Sequence, residues 1–416
     1  MTDRRSQRSL DALNLTVAGL QTGFGAFIPV YLAAAGWSSA DIGFALTAAG
    51  VSGVVSQVPA GLLVDVLPGK RFAAAIGLVL IGFAAFGMAL WPARPAVFAA
   101  LALHGFAGAM VNMAIAAITL AVVGHDAFSE RVGDNTRFAA IGAGGSALLL
   151  GGTVHLLGPA GPLFVTAVLT IPTLAAMLAI PGRLLQESPH TAGHAAVRPR
   201  RVRREQGLRA RAILRERGVW VFAAVCLLFQ LASAAMLPFA LVGLQRQGAA
   251  PGWVVSAAVV VPQFAAAALA PWFGRLAQRK GRRIVLLAGL AAVPLRGVLL
   301  ALLPGAVPLV AVEALDGISA AVIGLMIPLI AADVTERHGA LNVAMGAFGL
   351  AGGIGAAAGT AIGGMLDQRA GLAVTLLALA CVGAASCALH WLAMPETRPA
   401  RLPQDARGAS FRPRAS

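Results

Sequence analysis

Apolar and polar positions along this chain fall into long blocks. Runs of about 20 or more mostly apolar residues, the length needed to cross a hydrocarbon core, recur near 11–34, 41–63, 71–91, 95–123, 137–158, 160–182, 218–243, 252–274, 284–303, 306–332, 342–366 and 370–393. Short Gly/Pro punctuation separates several of them, at Pro92 and Pro95, Gly158 to Pro162, Gly248 to Gly252, and Pro304-Gly305. The pattern predicts an all-α integral membrane protein of twelve transmembrane helices. One break is long: Arg183 to Arg217 is polar and Arg-rich, carries Pro189, Pro199 and two histidines, and is too charged to span. The expected organisation is an N-terminal six-helix bundle (1–184), a cytoplasmic Arg-rich linker (185–217), a C-terminal six-helix bundle (218–394) and a cytoplasmic basic tail (395–416).

Composition supports this. Of 416 residues, 58% are hydrophobic and only 12% charged, with a mean hydropathy of +0.80. A soluble domain of this size would lack polar cover. The 49 glycines suit close helix packing in lipid. A net charge of +15 suggests nucleic acid, but the charge lies almost wholly between the apolar runs, which leave no soluble domain to bind it. Its placement instead sets orientation. With the N-terminus inside, one side receives Arg4, Arg5, Arg8, Lys70, Arg71, Arg131, Arg137, the linker arginines, Arg275 to Arg283, Arg337 and the tail. The other side receives Arg94, Arg246 and Arg369. By the positive-inside rule both termini are cytoplasmic, in the cell's inner (plasma) membrane. The charged start followed by a long apolar run reads as an uncleaved first span. Cys226, Cys381 and Cys387 lie inside apolar runs and imply no disulfide framework.

The two halves echo each other. Gln21 and Pro29 in the first run match Gln230 and Pro238 in the seventh, and His104-Gly105 in the fourth sits where Asp316-Gly317 sits in the tenth. Glu130-Arg131-Val132-Gly133 matches Glu336-Arg337-His338-Gly339, and runs five and eleven are both Gly-rich. After the second run comes Gly61-Leu62-Leu63-Val64-Asp65-Val66-Leu67-Pro68-Gly69-Lys70-Arg71; after the eighth comes Gly274-Arg275-Leu276-Ala277-Gln278-Arg279-Lys280-Gly281-Arg282-Arg283. Both resemble the Gly-x-Leu-x-Asp-Arg-x-Gly-Arg-Arg loop of the major facilitator superfamily. The first copy keeps the acid, Asp65, with one extra residue before Gly69; the second keeps the spacing, with Gln278 for the acid.

The resemblance implies a secondary transporter of two pseudo-symmetric bundles that rock around a midplane site. It also implies a cytoplasmic latch built from Gly61, Asp65, Gly69, Lys70 and Arg71 with Gly274, Gln278, Gly281, Arg282 and Arg283. The partners implied are a small-molecule substrate, protons and the lipid bilayer, with the protein a monomer. Proton-coupled export is the expected activity, on the likeness to efflux-type members. Uptake of an organic anion clamped by Arg296 and a non-transporting sensor or scaffold are the alternatives. The Arg-x-x-Gln-Gly and Gly-x-x-x-Gly-Pro patterns of drug–proton antiporters are missing from runs four and five, which leaves the substrate open. No Gly-x-Ser-x-Gly elbow, His-Glu-x-x-His pair or P-loop occurs. Neither enzyme activity nor a cofactor or metal is expected.

Ionisable groups deep in lipid are costly and mark candidate sites. They are His104, Arg296, Glu313 and Asp316. Arg296 and Glu313 both lie roughly 10 Å from the Pro304-Gly305 turn at 1.5 Å per residue, so an ion pair is sterically expected, either as a structural tether or as part of the site. Asp316 shares a face with Glu313 at a depth of about 14 Å. The tenth run offers it no basic residue of its own, so it is expected to take up and release a proton. The alternatives are a neutral acid bonded to a carbonyl, or an acid sharing Arg296 with Glu313. His104 is its symmetry mate, a relay candidate or a packing residue. Gln21, Gln230 and Asn112 offer amide donors and acceptors for a substrate cavity, or for bonds between helices.

Overall fold

The computed structural model describes residues 4–67, 69–124, 128–180, 216–248, 251–335 and 341–394. The linker other than Glu216 and Arg217, the whole tail 395–416, and the segment 336–340 lie outside the described residues. So do the side chains of Asp65 and Gln278. The described residues form fifteen α-helices. Those before the linker are α1 Arg4–Gly23, α2 Phe27–Ala34, α3 Ser39–Val55, α4 Gln57–Val66, α5 Lys70–Leu90, α6 Arg94–Val123, α7 Phe128–Leu157 and α8 Gly161–Leu178. Those after it are α9 Arg217–Arg246, α10 Gly252–Lys280, α11 Arg282–Leu302, α12 Ala306–Val312, α13 Ala314–Thr335, α14 Leu341–Ala370 and α15 Leu372–Ala393. Eleven stretches are long and apolar enough to cross a membrane. The twelfth crossing is α3, 17 residues, continued by α4 past Ser56.

Three runs expected to be continuous are broken: at Phe24–Ala26, at Ser56 and at Glu313. Two of the breaks lie just before a proline in the next helix's first turn, Pro29 or Pro59, whereas the break at Glu313 has none in the first turn of α13. A proline there has no N–H to bond the carbonyl four residues back, so the preceding turn loses its tie. Proline alone does not decide the outcome, because α9 runs unbroken through Pro238. The difference is that the first run has Gly23 and Gly25 ahead of its proline, where the seventh has Ala232 and Ala234. Another boundary moves too: the fifth run, expected over 137–158, is helical from Phe128. Its charged first turns extend the helix toward the aqueous end.

The buried side chains form two apolar clusters. One draws on α1–α8, with Leu20, Leu78, Ile81 and Met110 fully buried. The other draws mainly on α9–α15, around Phe222, Phe239, Phe348 and Met326. We call the end of the bundle holding the start of α1 the near end, and the opposite end the far end. The described hydrogen bonds between halves gather in the far half. Ser39 at the start of α3 bonds the Asp367 carboxylate at the end of α14. The Thr47 hydroxyl donates to Ala357 O at 2.8 Å and pairs with the Thr360 hydroxyl at 2.9 Å. Arg246 reaches both Asp367, at 3.5 Å, and Trp37 O, at 3.4 Å. The Ser256 hydroxyl donates to Ala147 O at 2.5 Å where α10 crosses α7.

The crossing of α3 and α14 requires glycine. A Cβ on Gly364 would stand 2.4 Å from Ser39 O and 3.0 Å from Gly43 Cα. Substitution of Gly364 by Leu is therefore expected to force the far end apart. A cysteine placed at Ser39 in a background without the native cysteines should then label with a membrane-impermeant maleimide several-fold faster than in the parent. Equal labelling would show that this crossing does not hold the far end shut.

Candidate functional site

The deep ionisable residues of the second half meet at one cation. Arg296, on α11, is 1% exposed and Glu313 is fully buried. The guanidinium grips Glu313 with two nitrogens: Nε donates to Oε1 at 3.2 Å, and NH2 donates to Oε1 at 3.0 Å and Oε2 at 2.8 Å. Its remaining nitrogen, NH1, donates to Asp316 Oδ1 at 2.5 Å and to the Ser233 hydroxyl of α9 at 3.2 Å. Ser233 in turn donates to the same Asp316 oxygen at 3.1 Å. The helix break supplies the geometry, because Glu313 sits between α12 and α13, and Asp316 follows one turn later. Of the arrangements open for Asp316, the one present is an acid that shares Arg296 with Glu313: one arginine serves both acids. The acids are not equivalent. Glu313 is sealed and bidentate, whereas the Asp316 side chain is 31% exposed and held through one oxygen.

At the corresponding place in the first half the chemistry is different. The His104 ring on α6 stacks on Phe24, with ring centroids 3.8 Å apart and planes within 7°, and its Nδ1 has no hydrogen-bond partner. Phe24 lies three residues after Gln21, as Ser233 lies three after Gln230. A polar triad in one half thus faces an aromatic stack in the other.

Two adjoining cavities carry Gln21 and Asn112. One, about 550 Å³, is lined by Asn14, Gln21 and Thr22 of α1, Asn112 of α6, Thr136 of α7 and Gln263 of α10 among others. The second, about 570 Å³, is lined by Gln21, Phe24, Gln57, His104 and Asn112 among others. Gln21 and Asn112 belong to both. Neither lining includes Gln230, which packs toward Gly352 of α14 with its Cγ 3.4 Å from where a Cβ would be, nor any member of the Arg296 cluster. Asn14, Gln57, Thr136 and Gln263 escaped the sequence reading, which singled out Gln21, Gln230 and Asn112 among the uncharged polar residues. Gln57 and Gln263 are polar residues inside apolar runs, a signal that was present.

Comparison with known proteins places this geometry. The sequence pattern of the MFS_1-like family matches residues 18–378. Uncharacterized MFS-type transporters of two Mycobacterium tuberculosis strains, CDC 1551 and H37Rv, are 32% identical over 397 residues, 94% of either chain. The chain belongs to the major facilitator superfamily. Among solved structures, the nucleoside transporter NupG superposes with a TM-score of 0.75 at 16% identity, over 92% of this chain and 98% of that one. A POT family transporter in complex with 5-aminolevulinic acid gives 0.73 at 13%, over 93% and 95%. At these identities the likeness concerns the fold. It is a membrane transporter fold of the superfamily's kind.

In this superfamily member the motif cations serve their own halves. Arg71 NH2 donates to Leu178 O at 2.7 Å, and Arg283 reaches Trp391 O while its guanidinium lies 4.5 Å from the Trp391 ring centroid. Each is the first-turn arginine of a half's third crossing, holding a carbonyl near the end of that half's last crossing. Such donors satisfy carbonyls that a helix end leaves without partners. Arg282 pairs with Asp333 and donates to Leu329 O at 2.8 Å. Gly61 lies within α4, Gly274 lies within α10, and Gly69 and Gly281 take positive φ, 145° and 97°, just before α5 and α11. Lys70 opens α5.

Removing one partner of a sealed ion pair leaves a buried charge, at a cost of about 3–5 kcal/mol. Glu313→Gln is therefore expected to lower the Tm in detergent by several degrees and to reduce the inserted yield. Asp316→Asn, at the half-exposed acid, should shift Tm much less. Equal Tm losses would show that the two acids carry the arginine jointly.

Proposed function

We propose that this protein is a secondary active transporter that moves a small organic solute across the inner membrane by alternating access, in exchange for protons, in the direction of export. The protein acts as a carrier and not as an enzyme. The observation that carries the coupling is the cluster of one guanidinium and two carboxylates in the core of the second half. A single arginine offsets one carboxylate well and a second poorly, so the acid held by one oxygen and only partly buried, Asp316, is the proton carrier. His104 remains a relay candidate with its free ring nitrogen, although no cavity wall described here holds it together with Asp316. The direction is taken from the resemblance to efflux-type members.

The positive-inside distribution of Lys and Arg puts the near end in the cytoplasm. On that orientation the halves are clasped at the outer end, the cavities lie toward the inner half, and the conformation is inward-facing. The motif loops of Gly61–Arg71 and Gly274–Arg283 lie at the inner end, where they would latch the opposite state. Uptake of an anion clamped by Arg296 gains no support, because all three guanidinium nitrogens are committed to Glu313, Asp316 and Ser233.

Two measurements test this reading. Asp316→Asn should abolish accumulation driven by a pH difference while leaving solute exchange within about threefold of the parent, a threefold change being roughly 0.65 kcal/mol in barrier terms. Accumulation against a gradient by this variant under an imposed pH difference would place the coupling elsewhere. For orientation, single cysteines at 190–210 should label only from the cytoplasm and one at Arg246 only from outside. Labelling of both from the same side would defeat the twelve-crossing topology.

A further inference from the structure

Deepening that reading, and resting on it, we propose that the paired cavities select a solute that carries no net charge and offers several hydrogen-bonding groups. Gln21 and Asn112, which line both, are the residues that read it. The walls carry the argument. Their polar groups are carboxamides (Asn14, Gln21, Gln57, Asn112, Gln263) and hydroxyls (Thr22, Thr136), with no Asp, Glu, Lys or Arg among the described lining residues. His104 is the one titratable side chain there, and its unpartnered Nδ1 and its stack on Phe24 add one further polar atom beside an aromatic face.

Asp134 and Arg137, which flank Thr136 on α7, are exposed and line neither cavity, and the buried Arg131 is already matched. Asp11, one turn before Asn14 on α1, accepts from Arg131 NH2 at 2.5 Å. Arg131 Nε donates to Asn135 Oδ1 at 2.9 Å, and Asn135 donates to the Thr119 hydroxyl at 3.0 Å. Arg296 is consumed by its two acids. An ionic solute entering these cavities would lose its water without meeting an unpaired counter-charge, and that loss is steep. A carboxamide, in contrast, offers both a donor and an acceptor on one fork. It suits hydroxyl, amide and ring-nitrogen groups alike. Walls built this way also discriminate, because a solute lacking the matching group leaves buried amides unpaired. Each cavity, at about 550 and 570 Å³, lies in the size range of small-molecule sites.

The experiment uses the full-length protein in membrane vesicles of both orientations, energised and supplied with a fractionated small-molecule extract of the host cells. Mass spectrometry reads which compounds become enriched relative to vesicles lacking the protein. Compounds neutral at pH 7 with several donors and acceptors should be enriched. At equal inserted amounts, Gln21→Leu and Asn112→Leu should each cut the initial rate for them about tenfold, the size expected for one hydrogen bond left unmade. Gln21→Asn should keep more of the rate than Gln21→Leu. Enrichment of an organic anion, or of a cation drawn to the surplus carboxylate of the Arg296 cluster, overturns the inference while leaving the transporter reading intact. Wild-type rates in both leucine variants overturn the assignment of Gln21 and Asn112. Enrichment of nothing in the wild-type vesicles overturns the transporter reading and this inference with it.

Discussion

A single guanidinium between two carboxylates, out of reach of bulk water, is the constraint on which the second half depends. Arg296 sits on α11, Glu313 at the α12–α13 break, Asp316 on α13, and Ser233 on α9, so one side chain ties three crossings. In a bilayer no hydrophobic force favours one helix neighbour over another, and polar bonds supply that choice. The same group also makes the helix break tolerable. Glu313 lies where the tenth crossing loses its regular turn, and irregular backbone at membrane depth survives only when protein surrounds it. Structural tether and functional candidate are thus one arrangement here, with the sealed Glu313 doing the first job and the half-open Asp316 available for the second.

The two halves repeat in sequence but not in chemistry. Gln21, Phe24 and His104 occupy in the first half the places that Gln230, Ser233 and Asp316 occupy in the second. In the first, the His104 ring stacks on Phe24 and the amide of Gln21 faces a cavity. In the second, the hydroxyl and carboxylate complete the arginine's bonds. The repeat sets equivalent positions, and a few side-chain replacements then give those positions different work. Backbone follows suit: the glycines that flank Phe24 break the first crossing, while alanines around Ser233 keep the seventh intact.

The architecture was legible because lipid imposes it. Twelve crossings, an internal repeat and a charged break can be read from run length and spacing alone, and the structure departs mainly at helix ends and at the three internal breaks. The site was legible only in part. Depth along a helix can be counted, so Arg296 and Glu313 were brought together on paper. Rotation about the helix axis cannot be counted so simply, and it is rotation that lets the third guanidinium nitrogen reach Asp316. The cavity amides at Asn14, Gln57 and Gln263 were obscured for a related reason. Each is one polar residue in an apolar run, and only the packing of α1, α4 and α10 decides whether it faces a neighbour or a void.

The distribution of polar contacts between the two ends bears on how such a protein moves. At the far end the halves are held by a handful of bonds from Ser39, Thr47, Arg246 and Ser256. The neutral bonds of Thr47 and Ser256 contribute about 1 kcal/mol each and the bond of Ser39 to the Asp367 carboxylate about 1.5–3 kcal/mol, and a partly exposed ion pair no more than about 1 kcal/mol. At the near end the described bonds of Arg71, Arg282 and Arg283 lie within their own halves, so separating the halves there leaves each of the three with a described partner. Two global states separated by only a few kcal/mol are what a solute or a proton, each with a modest preference for one state, is able to shift. A stronger clasp at either end would make the fold more stable and the protein less able to alternate.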